Sequence, residues 1–166
     1  MKTHGFVLMT LACVLIAYTA PVQADDNLGV KFKEVTFTDS STPSFDAPCP
    51  LVVPENSSFD RVDTGTVEGQ LHGTITACLK FALGLVPQAS GYFEIATDDV
   101  VWTGSFQGFV ASGLAGGFLA TGEYFGDGTD GTKLRGTFSQ FQIGDPAQGL
   151  PDRFLNRAII IRPHHH

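Results

Sequence analysis

Apolar and polar positions alternate with a period of two through much of this chain. The longest run begins at Thr64. Val67, Gly69, Leu71, Gly73, Ile75, Ala77 and Leu79 share one face, and Glu68, Gln70, His72, Thr74, Thr76, Cys78 and Lys80 share the other. Successive side chains of an extended chain point to opposite faces, so this rhythm predicts one long, half-buried strand over residues 64–80. Residues 30–33 and 35–38 predict an earlier strand with a bulge at Glu34. Residues 39–60, rich in Ser, Pro, Asp and Asn, predict a long irregular connection with a short apolar piece at 51–53. A turn through Pro87 follows. Residues 91–97 and 100–110 then read as a hairpin around Asp98-Asp99, and residues 117–125 and 132–143 as another around Asp127–Gly131. A loop at 144–151 and a briefly helical turn at 152–156 precede a last apolar strand at 157–162. Beyond residue 24, no stretch of about a dozen residues carries apolar positions at helical spacing without a Gly or Pro.

Inside this rhythm a short pattern occurs three times: Val67-Glu68-Gly69-Gln70-Leu71-His72-Gly73, Trp102-Thr103-Gly104-Ser105-Phe106-Gln107-Gly108 and Leu134-Arg135-Gly136-Thr137-Phe138-Ser139-Gln140. The central glycines lie 35 and 32 residues apart, the size of a supersecondary unit, here a repeated β-hairpin. The expected fold is therefore all-β, with seven or eight strands forming a single antiparallel barrel and a two-sheet sandwich as the alternative. Copies of the pattern on alternate strands would run in the same direction. Glycines 69, 73, 104, 108 and 136 on the apolar face suit tightly curved strands around a crowded interior.

Residues 1–24 stand apart. Lys2 and His4 precede a nearly continuous apolar run from Phe6 to Ala20, and Val22-Gln23-Ala24 resembles a small-residue cleavage site. The run of about 15 residues is shorter than the roughly 20 that span a bilayer, so it reads as a signal peptide. Residues 25–163 are then one domain, secreted or periplasmic, with no membrane span. Without Lys2 that domain carries nine basic and seventeen acidic residues, which excludes a nucleic-acid partner of the usual basic kind. Thirteen of the chain's fourteen Phe lie beyond the leader, and the whole chain is 43% hydrophobic, which supplies a core. Cys13 leaves with the leader, and Cys49 and Cys78 remain. In an oxidising compartment they are expected to pair, closing a loop of about 30 residues at a gain of roughly 3 kcal/mol. The alternative is two free thiols, with Cys78 buried as a small hydrophobe. Asn56-Ser57-Ser58 is a glycosylation sequon, relevant only to a eukaryotic source. His164-His165-His166, a loose metal ligand or a remnant of a purification tag, is given no role.

Three segments carry a family resemblance: Gly91-Tyr92-Phe93-Glu94, its continuation Trp102-Thr103-Gly104-Ser105-Phe106, and Gly117-Phe118-Leu119-Ala120-Thr121-Gly122-Glu123-Tyr124. Over roughly residues 64–143 the chain resembles the barrel superfamily of plant allene oxide cyclases and dirigent proteins. That resemblance implies an eight-stranded barrel, often dimeric or trimeric, whose ligand-sized lumen shapes a reactive apolar or aromatic intermediate. No family active-site motif aligns residue by residue. The Gly-x-Trp signature of lipocalins is absent, Trp102 being the only tryptophan.

The chemistry-bearing candidates are few. Glu68 and His72 share a strand face about 13 Å apart, too far to touch. Arg135 occupies the same motif position as Glu68, so strand pairing could assemble the three into an acid–base or orienting group. Otherwise they form a solvated outer face. Glu123 and Tyr124 are candidates for lumenal polar groups, and Tyr92, Trp102 and Phe106 for apolar ligand contacts. Asp127-Gly128-Thr129-Asp130-Gly131 has turn chemistry, not calcium-loop spacing. No zinc spacing, nucleophile elbow or phosphate loop is present, and no cofactor is implied. Two functions remain. One is an exported barrel that binds a small apolar molecule in its lumen, with or without cyclase- or isomerase-like activity. The other is a non-catalytic secreted structural or interaction protein with a filled core.

Overall fold

The computed structural model describes residues 30–55, 57–112, 118–145 and 148–163. The leader, Asn56 and His164–His166 lie outside them. Eight strands follow one another around a closed antiparallel barrel: β1 (Val30–Phe45), β2 (Arg61–Gly69), β3 (Gly73–Ala82), β4 (Gln88–Ala96), β5 (Val101–Ser112), β6 (Phe118–Gly128), β7 (Lys133–Gln142) and β8 (Asp152–Pro163). Each strand pairs with its chain neighbours, and β1 closes the ring on β8 from Val30↔Pro163 to Ser41↔Asp152. Closure leaves no exposed sheet edge.

The boundaries differ from the sequence expectation in three places. The run over 64–80 is two strands, because the chain reverses between Gly69 and Gly73, and Val67 pairs with Gly73. Gly69 sits at φ +123°, where a side chain would be strained. The in–out rhythm crosses this turn unbroken, with Leu71 buried and Gln70 and His72 exposed, so periodicity alone could not reveal it. Secondly, β1 has no bulge at Glu34, which pairs with Ile159 in continuous register; the register shift lies between Gln140 and Gln142. Lastly, residues 39–45 and 152–156 are strand, not loop and helical turn.

The two ends of the barrel differ. At one end, Val35, Phe37, Val67, Ile95 and Leu134 pack together, and Leu71 and Val100 fold in from the β2–β3 and β4–β5 turns. Trp102 plugs this end, donating its indole N–H to Thr132 Oγ1 (3.0 Å), whose hydroxyl donates to Asp130 Oδ1 (2.6 Å). Asp127–Gly131 is thus a hairpin turn that also anchors the plug.

The second and third copies of the sequence pattern lie on β5 and β7, which run in the same direction. The first copy crosses the β2–β3 turn instead. The glycines of β5 and β7 make room for rings from nearby strands: Tyr124 of β6 is the register partner of Gly136, and Phe138 of β7 reaches Gly108. A Cβ on Gly136 would stand 2.6 Å from Tyr124 Cζ, and one on Gly108 2.9 Å from Phe138 Cζ.

Residues 46–55 and 57–60 cross the outside of the barrel. Cys49 bonds to Cys78, whose Cα lies 5.7 Å away on the outer face of β3. The Asp60 N–H donates to Leu79 O (2.8 Å), Asp60 Oδ2 accepts from the Phe81 N–H (2.7 Å), and Phe59 meets Tyr92 edge-on. The disulfide to this strap buries the outward Cys78, and Val62, its register partner on β2, is buried beside it.

Candidate lumenal site

The half of the barrel opposite the Trp102 plug is hollow. Its cavity of about 520 Å³ reaches the β3–β4 and β7–β8 connections, where Leu83, Pro87 and Ile143 line its opening. That volume falls within the range of small-molecule sites. Leu83 and Ile143, both exposed, give the mouth an apolar collar together with Pro87, and Leu85, Val86 and Leu150 of the same connections are exposed as well.

The lumen wall has two chemistries, an apolar part mainly from β3, β4 and β5 and a polar part from β1, β2, β7 and β8, which also contribute Phe138 and Phe154. β3, β4 and β5 contribute Ile75, Ala77, Leu79, Phe93, Ile95 and Phe106. Phe106 packs edge-on against Phe138 of β7, which packs edge-on against Phe154 of β8. Polar groups come from β1, β2, β7 and β8: Asp39, Arg61, Asp63, Gln140, Asp152 and Asn156. All sit on inward positions of their strands, so alternation points them at the cavity although they are hydrophilic.

Most of this polar wall is held within itself. Arg61 grips Asp63 in a fork, Nε to Oδ1 at 2.5 Å and Nη2 to Oδ2 at 2.6 Å, and Nη2 also reaches Asp152 Oδ2 at 2.5 Å. Asp152 Oδ1 accepts from Gln140 Nε2 (3.0 Å) and the Gly144 N–H (2.7 Å), which ties the β7–β8 connection to the site. Burial alone would lower Arg61, but hydrogen bonds and charge from Asp63 and Asp152 outweigh it and hold the guanidinium above its ordinary value. Asp63 is pushed up, because burial exceeds the opposing pull of Arg61.

Asp39 is different. It is 5% exposed, and Asn156 Nδ2 donates to its Oδ2 at 2.7 Å, but it has no cation partner among the described residues. Burial, then repulsion from Asp63 and Asp152, raise its pKa to about 7 against the pull of the Asn156 bond. Tyr124 lies nearby, packed edge-on against Phe93, and its buried hydroxyl has no hydrogen-bond partner among the described residues. Burial, and secondarily the Asp39 charge, raise the phenol above its ordinary value.

Of the residues singled out from sequence, Tyr124 and Phe106 line the cavity. Trp102 faces inward but belongs to the plug, not to the open half. Glu68, His72, Glu123 and Arg135 are exposed on the outside. Strand order puts β8 and β1 between Arg135 on β7 and Glu68 on β2, so no cluster forms. Glu123 accepts from Gln107 Nε2 (2.7 Å), and Arg135 stacks over Phe125 at 5.6 Å. Tyr92 also faces outward, under the strap.

Sequence reasoning missed Asp39, Arg61, Asp63, Asp152 and Asn156. The signal was present: Val35, Phe37, Asp39 and Ser41 continue one face, as do Asp152, Phe154, Asn156 and Ala158. Among the described residues no three His, Cys, Asp or Glu side chains converge as metal ligands, and no helix is long and apolar enough to cross a membrane. The Cys49–Cys78 bond is compatible with an extracellular location. Comparison with family models, curated proteins and solved structures finds no match to this chain.

Proposed function

We propose that this protein is a secreted barrel that binds a small, mainly apolar or aromatic molecule in its lumen. The carrying observation is the half-filled interior: a cavity of about 520 Å³ behind an apolar collar, with one wall of aliphatic and aromatic side chains. A purely structural barrel would gain stability by filling that space, since an unfilled apolar void forfeits dispersion contacts. The opposing polar wall would orient the occupant. Asp39, with its pKa near neutrality, is the group best suited to move a proton, so the chemistry this lumen favours is an isomerisation or cyclisation of a bound intermediate. The resemblance to allene oxide cyclases and dirigent proteins points the same way.

The test is equilibrium titration with the neutral solvatochromic dye Nile red. Saturable 1:1 binding is expected, and Ala77→Phe, which fills the lumen from β3, should weaken it at least tenfold. Thr103→Phe on the outer face should leave it unchanged. Equal dye binding by wild type and Ala77→Phe would overturn the proposal.

A further inference from the structure

The polar wall carries an excess of negative charge. Three carboxylates, Asp39, Asp63 and Asp152, face the lumen with one guanidinium, and Arg61 is already committed to two of them. An anionic head group would meet uncompensated like charge there, and no cation is left to greet it. Asp39 retains Oδ1 as an open acceptor after Oδ2 is taken by Asn156. Tyr124 offers a second independent sign of a missing partner: the residue is 4% exposed, lines the same cavity, and its hydroxyl is unpartnered among the described residues. Buried polar groups without partners cost on the order of 1–3 kcal/mol each and mark places completed by something else.

We propose that the natural occupant of the lumen is an amphipathic amine, with its protonated nitrogen against Asp39 Oδ1 beside the Tyr124 hydroxyl and its apolar or aromatic body along Ile75, Ala77, Phe93 and Phe106. An ammonium donates to acceptors and brings the positive charge this wall lacks. Asp39, Phe93 and Tyr124 lie on three different strands and line the same cavity. This inference rests on lumenal binding and specifies its ligand class.

The charged and titratable groups facing Asp39 are Asp63 and Asp152, Arg61 bound between them, and Tyr124. Arg61 stays charged throughout. Amine binding should therefore follow ionisation of Asp39, strengthening as pH rises through about 7, with a proton released at lower pH.

The deciding experiment displaces Nile red from the full chain with 4-phenylbutylamine, 4-phenylbutan-1-ol, 4-phenylbutan-2-one and 4-phenylbutyrate at about pH 5.5 and pH 8. The amine should compete at least tenfold better than the alcohol at the higher pH and lose most of that preference at the lower one. 4-Phenylbutyrate should be the weakest competitor at the higher pH. Asp39→Asn should abolish the preference. If that variant does not fold, the wild-type pH profile and the amine–alcohol ratio still decide the matter. Equal displacement by amine and alcohol at both pH values would sink the amine assignment while leaving lumenal binding intact. A ketone preferred at low pH would assign Asp39 instead as a neutral acid donating to a carbonyl, and the amine would be wrong. Failure of Nile red to bind at all would overturn both readings.

Discussion

Replacing Asp39 with asparagine keeps the shape of the side chain and the acceptor for Asn156 while removing a titrating proton from the barrel interior. In the native state the carboxyl ionises near pH 7, against about 3.8 for an ordinary aspartate. The difference is about 3 units, and each unit corresponds to about 1.4 kcal/mol, so full ionisation opposes folding by at most about 4 kcal/mol. The sign follows from proton counting. Between about pH 4 and 7 the folded chain holds a proton on Asp39 that the unfolded chain has lost, so stability falls as pH rises through this window. Asp63, also raised, acts in the same direction. From about pH 5 to pH 8 the Asp39 share is roughly 2–3 kcal/mol. Urea unfolding at fixed ionic strength, followed by fluorescence of the buried Trp102, should show wild-type stability declining by about this amount. The decline should be much shallower in Asp39→Asn, since general charge repulsion is common to both proteins. Parallel pH profiles for the two proteins, or wild-type stability that rises from pH 5 to 8, would refute the reasoning.

Other perturbations test the remaining framework. Arg61→Met leaves Asp63 and Asp152 buried without their counter-ion and should cost about 3–5 kcal/mol in urea unfolding at neutral pH. Reducing Cys49–Cys78 frees the strap and should lower stability by roughly 3–4 kcal/mol, with faster proteolysis within residues 46–60 but no loss of the barrel's far-ultraviolet signal. Gly136→Ala places a methyl against the Tyr124 ring and the Arg157 carbonyl, and should lower stability by about 1–3 kcal/mol, read as a drop in Tm. Alanine at Glu68, His72, Glu123 or Arg135 should change stability by less than about 0.5 kcal/mol and leave Nile red binding unaltered, because these side chains lie outside the lumen.

Alternation of apolar and polar residues was enough to determine that this protein is built of strands and to suggest a single antiparallel barrel; which face lined the lumen it left open, so Glu123 and Tyr124 stood as candidates together although only Tyr124 faces inward. The positions of Cys49 and Cys78 were enough to anticipate their bond. What the pattern could not show was its own interruption. Gly69–Gly73 reverses the chain while Leu71 stays in and its neighbours stay out, so a hairpin looked like one strand. Nor could it show the candidate site. Asp39, Ser41, Asp152 and Asn156 face inward, and hydrophilic residues on an inward face erase the contrast by which a strand is recognised; their segments therefore read as a loop and a helical turn. Only closure of β1 on β8 brings Asp39 to Asn156, 117 residues apart in sequence. Only the three-dimensional packing decides which end is filled by Trp102 and which stays hollow. Side-chain volume summed across eight strands sets that choice, and no local stretch of sequence carries it.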